Sequence, residues 1–81
     1  MTPRIESAEY LESYKIRLTF SDGKIRTIDL DGELWGEMFE PLRNLEIFRQ
    51  FKVNQELRTI VWPNGADLAP EFLYEAAAPS L

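Results

Sequence analysis

The sequence contains neither cysteine nor histidine. Without cysteine the chain has no disulfides, no thiolate metal ligands and no thiol nucleophile, and a reducing cytoplasm is the expected compartment. Without histidine the usual pairs of nucleophile and general base are missing, and no serine and lysine share the spacing of a known catalytic motif. We therefore expect no catalytic residues and a protein that is not an enzyme.

Long apolar runs and glycine-rich loops are also missing. No segment reaches the roughly 18 consecutive apolar residues of a membrane span, and the charged N-terminal region is unlike a signal peptide. The four glycines are isolated in the sequence, so they form no phosphate-binding loop. We expect a soluble, unprocessed cytoplasmic protein with no cofactor, no metal and no membrane association.

The chain is acidic, with a net charge of −5 and a pI near 4.6. This charge disfavours direct nucleic-acid binding, which needs lysine and arginine to displace counterions from phosphates, and favours a basic protein partner. Arg17, Lys24 and Arg26 nevertheless lie close together on predicted strands. They form a weaker candidate, a basic face for phosphate or nucleic acid, although a solvated strand face is the preferred explanation.

The clearest local pattern is the alternation of apolar and polar residues across 14–30, on both sides of an Asp-Gly pair at 22–23. It predicts a β-hairpin. A two-residue turn would place Asp29 opposite Ile16 on the apolar face. A three-residue loop, with Gly23 in the left-handed conformation, pairs Ile16 with Ile28 and Lys15 with Asp29 instead, and is preferred because it avoids burying a carboxylate.

The remaining elements are predicted from the spacing of apolar residues and from the positions of proline and asparagine. Residues 4–10 are a weaker strand, and apolar residues at three- and four-residue steps over 34–42 predict a helix that is limited by Pro41. Asn44 can cap a second short helix. Residues 51–62 predict another hairpin around Gln55-Glu56, with residues 57–62 as a central strand, and Pro70 begins a final helix.

These elements predict one α+β domain covering residues 1–81, which is the size of a single small domain. We expect a mostly antiparallel sheet of about five strands, in the order β-β-β-α-β-β-α, with short helices packed on it. An uncovered edge of such a sheet would permit a homodimer.

Two groups of polar residues are candidate sites. Asp29, Asp31 and Glu33 lack the ligand spacing of a calcium loop, so we interpret Asp29 as a strand end and Asp31 as a helix cap.

Trp62, Asn64, Asp67 and Tyr74 are a candidate surface for a partner or ligand, in which the two aromatic rings supply rigid contact area. The structural alternative puts both rings at the rim of the core, Asn64 in a turn and Asp67 at a turn or helix cap.

Three blocks of the sequence, "LTFSDGKIRTIDL", "FEPLRNLEIFRQFKVN" and "TIVWPNGADLAPEFLYE", resemble successive parts of the bacterial domain-of-unknown-function family 2442. The resemblance implies a compact α+β domain, joined in some members to a helix-turn-helix and often encoded beside another small protein, as in toxin–antitoxin pairs. It supplies no catalytic residues.

We therefore expect a non-enzymatic protein-interaction module, the antitoxin-like partner of a small basic protein encoded nearby. The alternative is a regulatory domain that binds a small ligand or nucleic acid.

Overall fold

The order of strands and helices follows the predicted order. The computed structural model describes residues 2–79. In chain order these residues form β1 (Ile5–Glu12), β2 (Lys15–Phe20), β3 (Ile25–Asp29), two 3-10 turns (Asp31–Glu33 and Glu40–Arg43), α1 (Leu45–Phe48), β4 (Lys52–Asn54), β5 (Thr59–Val61), α2 (Pro70–Ala76) and the two-residue β6 (Ala78–Pro79). The α+β class is confirmed.

The strands divide between two antiparallel sheets. One has four strands in the order β1-β2-β3-β6, and the other is a ribbon of β4 and β5. The prediction that residues 57–62 form a central strand is wrong, because β5 pairs with β4 in a separate two-stranded sheet. The apolar character of β5 reflects burial of its side chains against the core, where Thr59 is 3% and Ile60 0% exposed.

The β2–β3 hairpin has the predicted register. Ile16 lies opposite Ile28, and Lys15 lies opposite Asp29. The three-residue loop 21–23 closes with a hydrogen bond from the Phe20 amide to the Lys24 carbonyl at 2.9 Å, and Gly23 has a φ of +88°. The left-handed glycine therefore sets a register that keeps the carboxylate of Asp29 off the apolar face.

The predicted helix over residues 34–42 is wrong. Residues 34–39 are irregular backbone between the two 3-10 turns, and Gly36 has a φ of +89°. Two glycines and a proline within residues 32–41 oppose a continuous helix. As a result the apolar residues separate: Leu34 and Leu42 enter the core, whereas Trp35 is 72% and Met38 47% exposed.

Asparagine side chains organise the next two turns. Asn44 caps α1 as predicted, because its Oδ1 accepts a hydrogen bond from the Glu46 amide at 3.0 Å. The β4–β5 connection has four residues rather than the predicted two, since Asn54 lies opposite Thr59. The Oδ1 of Asn54 accepts hydrogen bonds from two loop amides, at 2.9 and 2.8 Å, which stabilises a turn that has no glycine.

Trp62 lies at the centre of the core and is 2% exposed. Its Nε1–H donates to the Phe48 carbonyl at 2.8 Å, and its ring centroid lies 5.9–6.5 Å from those of Phe39, Phe48 and Phe51. Phe48 in turn makes edge contacts with Tyr10 and Tyr14 at the end of the β1–β2 pair. This aromatic cluster connects the ribbon, α1 and the main sheet.

The two tryptophans provide a matched test of this core. We expect Trp62→Phe to lower the free energy of unfolding by about 2–4 kcal/mol, because it leaves a cavity and an unpaired buried carbonyl at Phe48. Trp35→Phe, at an exposed position, should change it by less than about 0.5 kcal/mol. Urea denaturation followed by circular dichroism measures both, and equal effects of the two substitutions would contradict the assigned core.

Candidate functional site

The segment around Trp62 is mainly structural. The Trp62 amide donates to the Ala66 carbonyl at 2.9 Å, and Gly65, with a φ of +90°, donates back to the Trp62 carbonyl at 2.9 Å. Asn64 accepts from the Ala66 amide and donates from Nδ2 to the Met38 carbonyl at 2.9 Å. Trp62 thus has little ring surface left for a partner, and Asn64 connects its turn to the irregular segment 31–44.

Of the two structural roles predicted for Asp67, a turn or a helix cap, the cap of α2 is not formed. The residue that precedes the helix is Ala69, which makes no capping hydrogen bond from its side chain. Asp67 pairs through its backbone with Val61, and its side chain is exposed. Pro70 does begin the helix as predicted. The carboxylate of Asp67 is therefore a surface group.

Tyr74 packs against the turn of the β2–β3 hairpin. Its ring meets Phe20 edge-on, with centroids 4.9 Å apart, and its hydroxyl donates to Oδ2 of Asp22 at 2.8 Å. The Arg26 guanidinium lies 4.5 Å and the Lys24 ammonium 5.8 Å from the centre of the same ring. Tyr74, from the candidate partner surface, thus contacts Lys24 and Arg26 of the predicted basic face.

The three predicted basic residues do not form one exposed face. Arg26 lies opposite Leu18, on the core side of the sheet, and its Nη1 donates to the Tyr74 carbonyl at 3.1 Å. Arg17 lies opposite Thr27 on the other side, where it forms a 3.0 Å ion pair with Glu9. Because side chains alternate between faces along a strand, the proximity of these cations in sequence does not bring all three together: Lys24 and Arg26 meet at Tyr74, whereas Arg17 lies on the opposite face.

The acidic run after β3 also has structural roles. Asp29, and not Asp31, accepts the backbone hydrogen bond at the start of the 3-10 turn, from the Asp31 amide at 3.0 Å. The predicted cap at Asp31 is therefore wrong, and its carboxylate instead pairs with Arg43 at 2.8 Å. Across residues 2–79, no three acidic side chains converge closely enough to hold a metal ion.

An apolar pocket beside Trp35 is the strongest candidate site. It has a volume of about 240 Å³ and is lined by Glu33, Trp35, Phe39, Leu68 and Phe72. We call it the Trp35 pocket. Residues 33–39 form one wall, and Leu68 with Phe72 of α2 form the other.

Two hydrogen bonds from neighbouring segments position these walls. Asn64 holds the Met38 carbonyl beside Phe39, and Thr59 Oγ1 donates to the Leu68 carbonyl at 2.6 Å. Sequence reasoning missed the pocket because it assigned Trp35 to the buried face of a helix. The available signal was Gly32 and Gly36, which flank the tryptophan on both sides.

A second, larger groove runs along the β4–β5 ribbon. Its volume is about 620 Å³, and its lining includes Lys52, Asn54, Glu56, Trp62 and Pro63. Polar side chains are prominent here, in contrast to the Trp35 pocket.

A family model described as "Protein of unknown function (DUF2442)" matches residues 5–79. The match covers nearly the whole chain and confirms the resemblance seen in the three sequence blocks. No curated protein and no solved structure matches the chain. Among the described residues, no helix has the length and apolar content needed to cross a bilayer.

The contact between Tyr74 and Asp22 gives a testable pKa. The Lys24 backbone amide, and secondly the Tyr74 hydroxyl, hold the Asp22 pKa below its ordinary value of 3.8. The stabilisation that this carboxylate contributes is thus present above pH 3.8 and is lost as the pH falls through its folded-state pKa. We expect Tyr74→Phe to raise the Asp22 pKa, but not fully to 3.8, because the Lys24 hydrogen bond remains.

Carboxyl carbon NMR titration measures this shift. Tyr10→Phe is the control, since the Tyr10 hydroxyl donates to the Ser13 carbonyl and not to Asp22. An Asp22 pKa that is the same in Tyr74→Phe and in the unmodified chain would show that the Tyr74–Asp22 hydrogen bond does not persist in solution.

Proposed function

Because the chain belongs to a family of proteins of unknown function, DUF2442, we propose its role from its geometry. The protein is a non-enzymatic interaction module that binds a partner protein at the Trp35 pocket. The observation that carries this proposal is the 72% exposure of Trp35 on the wall of an apolar pocket.

An exposed tryptophan of this kind favours a binding role. Trp35 lies beside the half-buried rings of Phe39 and Phe72 and close in sequence to the exposed Met38. Tryptophan is enriched among the residues that dominate binding energy at protein interfaces, because a rigid ring buries a large area at low entropic cost. The pocket is thus suited to burial by a partner.

The size of the Trp35 pocket favours a side chain over a small molecule. Its volume of about 240 Å³ lies below the roughly 300–1,000 Å³ typical of small-molecule sites. Most of its lining is apolar, with Glu33 as the exception. A single large side chain of a partner protein matches this volume and chemistry.

The charge of the chain suggests the nature of the partner. A net charge of −5 favours association with a basic protein. Together with the gene arrangement implied by the family resemblance, this supports an antitoxin-like role in a small bacterial pair acting in the cytoplasm. The partner is then a small basic protein encoded nearby, and a second copy of this chain is the alternative.

The groove along the β4–β5 ribbon supports a second candidate function, the binding of a small ligand. Its volume of about 620 Å³ is within the range of small-molecule sites, and it borders Trp62, whose fluorescence would report an occupant. Titration with nucleotides and short DNA, followed by tryptophan fluorescence, tests this function. A flat response to all of them would remove it.

The interaction is tested by co-expressing the chain with the product of the adjacent gene. We expect co-elution from a size-exclusion column at micromolar concentration. Trp35→Ala should weaken the complex by about 30-fold or more, because hot-spot residues contribute about 2 kcal/mol or more. Leu57→Ala is the matched control, since Leu57 is 48% exposed and lies outside the Trp35 pocket.

Independent elution of the two proteins would contradict the proposed partner. An equal effect of the Trp35 and Leu57 substitutions would contradict the proposed surface. Urea denaturation of each variant shows whether it is folded, and so distinguishes the loss of a contact from unfolding.

A further inference from the structure

We infer that the Trp35 pocket selects a partner segment with one large apolar side chain flanked by lysine or arginine. This inference rests on the proposed function and specifies the chemistry that the partner presents. Three features carry it: the volume and lining of the pocket, the distribution of charge along the chain, and the lack of ion-pair partners within residues 2–79 for most of the acidic side chains of the pocket segments.

The pocket accepts one apolar group. A volume of about 240 Å³ corresponds to roughly eight water molecules at liquid density, which suits one aromatic or large aliphatic side chain. Apart from Glu33, the lining consists of Trp35, Phe39, Leu68 and Phe72, so a polar side chain entering between these four would lose its hydrogen bonds to water without replacement. The inserted side chain is therefore apolar.

The two segments that form the pocket contain acidic residues but no lysine or arginine. Residues 31–42 and 63–79 contain seven of the fourteen acidic residues of the chain and none of its nine lysines and arginines. The rest of the chain holds seven acidic and nine basic residues. The negative charge of the protein is thus concentrated in the part that carries the pocket.

Most of these carboxylates lack an internal counter-charge. The ion pairs formed within residues 2–79 are Arg17 with Glu9 and Arg43 with Asp31, so only Asp31 among the pocket segments has a cationic partner there. Glu33 borders the pocket, and Glu37, Glu40 and Glu71 are close to it in sequence and exposed. Cations of a partner can approach them without breaking an existing pair.

The magnitudes assign different roles to the two parts of the partner segment. An exposed ion pair contributes only about 0–1 kcal/mol, whereas several like charges together raise the association rate and make it sensitive to salt. Burial of one large apolar side chain provides the main affinity. We therefore expect the apolar residue to determine how long the complex lasts and the flanking cations to determine how fast it forms.

Other occupants of the pocket are disfavoured by charge. A symmetric dimer through the pocket would bring the acidic segments of two copies together. A nucleic acid would bring phosphates to the same carboxylates. A basic segment of a different protein is not repelled by these carboxylates.

Three synthetic peptides of about eleven residues test the inference by isothermal titration calorimetry with the full chain. The first has lysines around a central phenylalanine, the second replaces the phenylalanine by alanine, and the third replaces the lysines by glutamate. We expect the first to bind, the second to bind at least ~10-fold more weakly, and the third not to bind. Raising the salt concentration from about 50 to about 200 mM should weaken the first peptide further.

Variants locate the peptide. Trp35→Ala should abolish its binding and Leu57→Ala should not. The combined substitution Glu33→Gln, Glu37→Gln and Glu40→Gln should reduce its salt dependence while leaving the preference for phenylalanine over alanine.

Three results would overturn the inference: no heat from the lysine–phenylalanine peptide up to about 1 mM, equal affinity for the first two peptides, or binding that is unaffected by Trp35→Ala. If any of these occurs while Trp35→Ala still disrupts the complex with the adjacent gene product, the proposed function stands and only the specificity is wrong. If that complex is also unaffected, both are wrong.

Discussion

The Nε1–H of Trp62 donates to the Phe48 carbonyl inside a core where the indole is 2% exposed. A buried indole without an acceptor would be costly, so this bond determines how closely the ribbon approaches α1. Phe48 then contacts the tyrosines at the end of the β1–β2 pair. The two sheets are separate in their strand pairing, and this aromatic cluster is a principal connection between them.

The irregular segment 31–44 depends on the same cluster. It gains little from regular backbone pairing, and its position comes from Leu34 and Leu42 in the core, from the contact of Phe39 with Trp62, and from side-chain bonds at Arg43 and Asn64. These contacts hold the backbone on both sides of Trp35 while its ring remains exposed. A partner that covers this ring would pay little to order the segment that carries it.

Local chemistry explains which elements could be predicted from the sequence. The β2–β3 register followed from keeping Asp29 off an apolar face, and Asn44 and Pro70 mark helix starts that depend on neighbouring residues only. The division into two sheets was not predictable, because strand pairing between distant segments is set by packing. The apolar residues within 34–42 have helical spacing. The segment is nevertheless not a helix, because it contains a glycine with a positive φ and a proline.

The contacts of the candidate site residues were even harder to predict, because they join segments that are distant in sequence. Tyr74 meets Arg26 across 48 residues of sequence, and no local pattern relates them. Trp35 belongs to an apolar pattern that is typical of buried residues. Its exposure follows from the irregular backbone on both sides of it, which the pattern does not show. The charge of the pocket segments, in contrast, was visible in the sequence, although their meeting at one pocket was not.

Because the two segments that form the Trp35 pocket carry seven acidic residues and no lysine or arginine, we expect the molecule to have an electric dipole. In the field of a charged partner such a molecule experiences a torque as well as an attraction, so it rotates during approach. We expect its negative end to be the one that carries Trp35 and to arrive first at a positive surface. If the proposed basic partner binds at the Trp35 pocket, this orientation reduces the number of unproductive encounters before any side chain has made contact.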